Sequence, residues 1–139
     1  MAFRVLVPMD DSEMAENALE FALQAHPDAE VTVLHVVGGA SPFMGDAVSL
    51  ALADDLEEAA EERAEPIFDR AHELATEHDR EIETIIALGQ PSRAIVERAD
   101  EYDVVVMGSH GRNLKSRVLI GNVAERVSRR SPVPVTLVR

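Results

Sequence analysis

Apolar residues along the chain cluster in two kinds of stretch. The first kind is short and nearly continuous: Phe3 to Pro8, Glu30 to Val37, Glu81 to Leu88, Asp103 to Met107 and Pro132 to Val138. Runs of this length, rich in valine and isoleucine, suit strands covered on both faces. The second kind is longer and spaced at helical intervals. Ala15, Leu19, Ala22 and Leu23 share one face of a helix that starts after Asp11 or Ser12 and stops at Pro27. Leu52, Leu56, Ala60, Ile67, Ala71 and Leu74 form the stripe of a long helix over about 48–78. Pro66 inside it is expected to kink or divide it. Glu57, Glu58, Glu61 and Glu62 read as its solvated side. Shorter helices follow over about 92–100 and 122–130.

Strand and helix therefore alternate from end to end, with no repeat, linker or low-complexity tract. The reading is one α/β domain over 1–139, built on a parallel sheet with helices on both faces. Right-handed crossovers make such a sheet doubly wound. Its ligand crevice then lies beyond the carboxyl ends of the strands, where the strand order reverses. That places three loops in view: Pro8 to Ser12, the segment around Val37, and the segment from Gly108 onward.

Charge narrows the partners. The chain carries 26 acidic and 13 basic residues, a net charge of −13. Such a field repels nucleic-acid phosphates, so a nucleic-acid role is disfavoured. Lys115 is the single lysine. Many acids, little lysine and few aromatics suit a high-salt cytoplasm, where screening relieves self-repulsion. Without cysteine there is no disulfide or thiolate chemistry. The opening MAFRVLVPMD is too short for a signal peptide or membrane span, so a soluble cytoplasmic protein is expected.

The candidate chemistry follows the fourth strand. Gly108, Gly111 and Gly121 are spaced G-x-x-G-x9-G, and Gly121 stands just before a helix. Glycines permit tight turns and close approach of backbone to a ligand. Free N–H groups at a helix N-terminus favour phosphate. Arg112, Lys115 and Arg117 add positive charge in an otherwise acidic chain.

With these features the chain resembles the universal stress protein family, in its ATP-binding branch. The resemblance runs through VLVPMDDSE, LHVV, LGQPSRAI, VVVMGSHG with its third glycine, and SPVPVTLVR. It implies a Rossmann-like, five-stranded sheet of order 3-2-1-4-5. By position it implies that Gly108, Gly111, Gly121 and Val123 line a triphosphate, with Arg112 and Asn122 beside them. Pro8, Asp10 and Val36 would hold adenine and ribose, flanked by Met107. Magnesium would accompany the ATP. Asn122 departs from the family's Ser or Thr. Losing one hydroxyl contact is worth roughly 1–2 kcal/mol, about tenfold in affinity.

Other readings weigh less. Asp10 and Asp11 together evoke the magnesium site of receiver domains, but the third strand ends in Leu88-Gly89 and the fifth lacks a lysine. The five histidines, His26, His35, His72, His78 and His110, show no metal-ligand spacing. His110 can touch a phosphate or simply order its turn. Ser109 and Ser116 are autophosphorylation candidates by resemblance alone. No P-loop and no catalytic triad are present, so any hydrolysis is expected to be slow. In the last strand Val133, Val135 and Leu137 alternate with Pro134, Thr136 and Val138, leaving both faces apolar. Such an edge is ready to pair, and the resemblance implies a homodimer through Val133 to Val138. The rivals are a dimeric interaction module that has lost its nucleotide and a nucleotide-dependent enzyme on the same fold.

Overall fold

The computed structural model describes residues 2–38, 53–110 and 120–139, and of 53–56 the backbone alone. Gly111, Arg112, Lys115, Ser116 and Arg117 lie outside the described residues, as does the stretch Gly39–Asp46 (GASPFMGD), which reads as a loop in the sequence.

The elements are β1 (Arg4–Pro8), α1 (Glu13–Ala25), β2 (Glu30–Val37), α2 (Ala53–Glu77), β3 (Ile82–Leu88), α3 (Pro91–Ala99), β4 (Val104–Gly108), α4 (Asn122–Arg130) and β5 (Val135–Val138). The strands form one five-stranded sheet in the order β3-β2-β1-β4-β5. All four pairings are parallel. The doubly wound sheet is as the alternation of elements predicts, and its order is the one the family resemblance implies.

The unbroken apolar runs have a direct cause. Successive residues of a strand point to opposite faces, and here helices cover both. Val5, Val7, Val31, Val33, Val104 and Val106 pack with Leu19, Leu23 and Leu74 of α1 and α2. Leu6, Leu34, Val105 and Met107 pack on the other side with Ile95 and Val127 of α3 and α4. Val5, Leu6 and Val7 are fully buried, which leaves no polar position along the centre of β1.

Local chemistry sets the helix ends. Ser12 is the N-cap of α1, its Oγ accepting from the Ala15 amide at 3.1 Å. Asp79 takes a left-handed φ of 54° just past α2. The Arg80 amide reaches back to Ala75 O at 2.8 Å and the Asp79 amide to Thr76 O at 3.0 Å, a Schellman closure. The Arg80 guanidinium then donates to Leu23 O at 2.8 Å and Ala29 O at 2.7 Å, sealing the C-terminal end of α1.

Two expectations are corrected. Pro66 does not divide α2, which runs unbroken from Ala53 to Glu77. Pro66 and Glu62, whose carbonyl loses its helical partner, are both exposed, so water can serve that carbonyl. The last strand begins at Val135 rather than Pro132. Pro132 and Pro134 have no amide to give a ladder, although Pro134 O still accepts from Val105 N at 3.0 Å.

Candidate functional site

A cleft of about 200 Å³ opens where the strand order reverses, beyond the carboxyl ends of β1, β2 and β4. Each wall has a local origin. β1 continues past its ladder, with the Met9 amide donating to Leu34 O at 2.8 Å. His35 Nδ1 lies 2.8 Å from Met9 O. A carbonyl can only accept, so that ring nitrogen holds the hydrogen. These two bonds tie the Pro8–Met9–Asp10 turn to the end of β2.

The next wall is the start of α1. Asp10 Oδ1 accepts from the Ser12 amide at 2.9 Å. This carboxylate and the Ser12 hydroxyl occupy the α1 N-terminus with the chain's own acceptors. Asp10 is half-buried and faces the cleft.

The third wall comes from β4 and α4. The Ser109 amide donates to Val138 O at 2.8 Å and the Gly121 amide to Ser109 O at 2.7 Å. Gly121 is the N-cap of α4 and brings no side-chain acceptor to its free amides. Unlike α1, α4 therefore has no side-chain cap among the described residues at its positive end, which lies at the cleft. Both glycines here also answer to packing. A Cβ on Gly108 would stand 2.9 Å from Met14 Cβ and 3.0 Å from Met14 C. A Cβ on Gly121 would stand 3.0 Å from His110 Cα.

Of the residues singled out from the sequence, Pro8, Asp10, Val36, Met107, Gly108, Gly121 and Val123 line this one cleft. Asn122 is exposed and does not line it. Sequence reasoning passed over Met9, His35, Pro91, Ile95 and Ala124, which also line it. Ile95 and Ala124 each sit on the inward stripe of a helix, and only their nearness to a strand end separates them from ordinary core. Ser109 Oγ and His110 Nδ1 are 3.0 Å apart, and both residues are buried. Among the described residues, no group of three or more His, Asp or Glu is placed to hold a metal ion. No described helix is long and apolar enough to cross a membrane.

The profile of the universal stress protein family matches residues 1–139. The chain belongs to this family. It is 30% identical to the universal stress protein YxiE of Bacillus subtilis, over 98% of each chain. The universal stress protein UspA of Lactobacillus plantarum superposes with a TM-score of 0.79 at 28% identity, covering 99% of this chain and 97% of that one. A universal stress protein solved in complex with cAMP superposes with a TM-score of 0.68 at 26% identity, covering 99% and 97%.

Proposed function

We propose that this chain is an adenine-nucleotide-binding regulatory member of its family, taking ATP with magnesium in the cytoplasm as a homodimer. The observation that carries the reading is the pairing of two unlike surfaces in one cleft. Pro8, Val36 and Met107 offer an apolar slot suited to a base. Gly121 and Val123 of the same lining bring the start of α4, without a side-chain cap among the described residues and suited to phosphate. The relative that holds cAMP supports an adenine nucleotide as the ligand class.

The residues fit such a ligand without a cation on the described wall. Backbone amides of α4 meet the phosphates, and magnesium arrives with them. Asp10 is the carboxylate of the described wall, with one oxygen already engaged by Ser12, and its free oxygen suits a ribose hydroxyl. Gly111 and Arg112 complete the phosphate side in this reading. Hydrolysis, where it occurs, is slow.

For the dimer, β5 is an edge of the sheet and its four residues are all half-buried. An antiparallel pairing across a two-fold axis would satisfy its free backbone groups.

The test is a thermal melt with and without Mg-ATP. A ligand at a hundred times its Kd stabilises by about 2.7 kcal/mol, which raises Tm by roughly 5–10 °C in a domain of this size. An unchanged melt at millimolar Mg-ATP overturns the nucleotide reading and leaves a dimeric interaction module. Sedimentation at micromolar concentration tests the dimer separately, and a monomer overturns it.

A further inference from the structure

His110 is 5% exposed, yet it forms part of the cleft wall. Its Nδ1 is taken by Ser109 Oγ at 3.0 Å. Among the described residues Nε2 has no partner, and no buried side-chain nitrogen is left unsatisfied. Nε2 is therefore the ring atom that solvent reaches, and the cleft is the opening beside it.

Which nitrogen carries the hydrogen follows from Ser109. Its residue is 6% exposed, and His110 Nδ1 is the acceptor within reach of its hydroxyl among the described residues. If Nδ1–H donated to Oγ, the buried hydroxyl hydrogen would have no acceptor, which is the costly arrangement. If the hydroxyl donates to Nδ1, the buried hydroxyl hydrogen and Nδ1 satisfy each other. Nε2 must then carry the ring hydrogen and present it to the cleft.

The position of α4 adds the second half. Gly121 has no side chain, so the start of α4 passes against His110. A Cβ at Gly121 would lie 3.0 Å from His110 Cα and 3.2 Å from its Cβ. The Cα and Cβ of His110 thus stand against the start of α4, and His110, Gly121 and Val123 line the same cleft. Two sets of hydrogen-bond donors therefore border one cleft, the backbone amides at the start of α4 and the His110 side chain. That is a place for an anion and a poor place for a cation.

We propose that His110 donates from Nε2 to the phosphate groups of the ligand, and that the Ser109 hydroxyl is a positioning residue that holds it in the donating tautomer. The proposal rests on the nucleotide reading for its ligand, but its tautomer half stands without one.

The experiment has two readouts. A long-range 1H–15N spectrum of the full chain reports which nitrogen of His110 carries the hydrogen. The expected result is Nε2–H in the wild type and a mixture of tautomers in Ser109→Ala. Finding Nδ1–H in the wild type overturns the proposal.

Calorimetry then compares Mg-ATP, AMP and adenosine on wild type, His110→Ala, His110→Gln and Ser109→Ala. Glutamine places an amide donor near the lost Nε2, which keeps the test open if alanine fails to fold. His110→Ala should weaken both phosphorylated ligands roughly tenfold or more and leave adenosine unchanged. His110→Gln should recover most of the loss. Equal losses for adenosine and ATP, or no loss, overturn the proposal.

If the wild type binds no adenine nucleotide, pyrophosphate is the probe. A pyrophosphate-dependent shift of the His110 Nε2–H signal would keep this proposal while the nucleotide reading falls. A signal unmoved by both pyrophosphate and nucleotides overturns it.

Discussion

The Gly121 amide donates to the Ser109 carbonyl at 2.7 Å, and through this bond the two ends of the glycine-spaced loop are fastened to each other. The loop leaves β4 and enters α4 through one pinned gate, whatever lies between. Loop closure of this kind fixes the direction of the α4 amides relative to the strand ends without needing a ligand. It also means that changes at the gate act on folding as well as on binding.

Gly108 and Gly38 should therefore separate cleanly. A Cβ on Gly108 meets backbone and Cβ atoms of Met14, the nearest at 2.9 Å, so Gly108→Ala must push the first turn of α1 away. The expected cost is about 1–3 kcal/mol, as for other overpacked sites. A Cβ on Gly38 meets nothing within 4 Å, so Gly38→Ala should be neutral or slightly stabilising. Urea denaturation without ligand measures both, and equal effects would contradict the packing argument.

Gly121→Val should destabilise the free protein as well as weaken nucleotide binding. Its side chain would run into the backbone of His110, 3.0 Å from the Cβ position. A loss of roughly 1–3 kcal/mol is expected in the absence of any nucleotide. A variant that melts like wild type without ligand would show that the glycine serves the ligand alone.

The cap at Ser12 offers a contrast between stability and access. Ser12→Ala removes the acceptor of the Ala15 amide and should cost about 1 kcal/mol. The same change frees the Ala15 amide at the α1 N-terminus, while Asp10 still holds the amide of residue 12. Denaturation measures the loss, and Ser12→Asp, which restores an acceptor, should recover most of it.

At the opposite end of the sheet, Asp79 and Arg80 close the turn after α2. Asp79→Gly relieves a left-handed φ of 54° and should stabilise by roughly 0.5–1 kcal/mol. Arg80→Ala strips two hydrogen bonds from the carbonyls of Leu23 and Ala29 and should destabilise by about 1–3 kcal/mol. Both sites are remote from the cleft, so nucleotide affinity should not change.

Salt should stabilise the protein. A net charge of −13 on 139 residues repels itself in the compact state. Raising ionic strength shortens the screening length from about 10 Å at 0.1 M to about 3 Å at 1 M. Tm should climb steadily over that range in potassium chloride. A flat response would remove the support for a high-salt setting.

Much of this protein was decided by local pattern. Strands buried on both faces have to be continuously apolar, so the runs at Val5–Val7 and Val104–Val106 declare themselves without coordinates. Helix punctuation is equally local: Ser12, Pro27 and Gly121 act through their own backbone and nearest neighbours. The parallel topology followed from strict alternation, and the loops at the cleft from that topology.

Tertiary structure alone decided which residues meet. His35 and Met9 are far apart in the chain, and their bond exists because β1 and β2 pair in one particular register. Ile95 and Ala124 belong to the core and also line the cleft, because the fold brings their helices beside the strand ends. Gly108 and Gly121 looked like room for a ligand, and the folded chain shows them also as room for Met14 and His110. Such contacts depend on distances between elements, and spacing within an element carries no information about them.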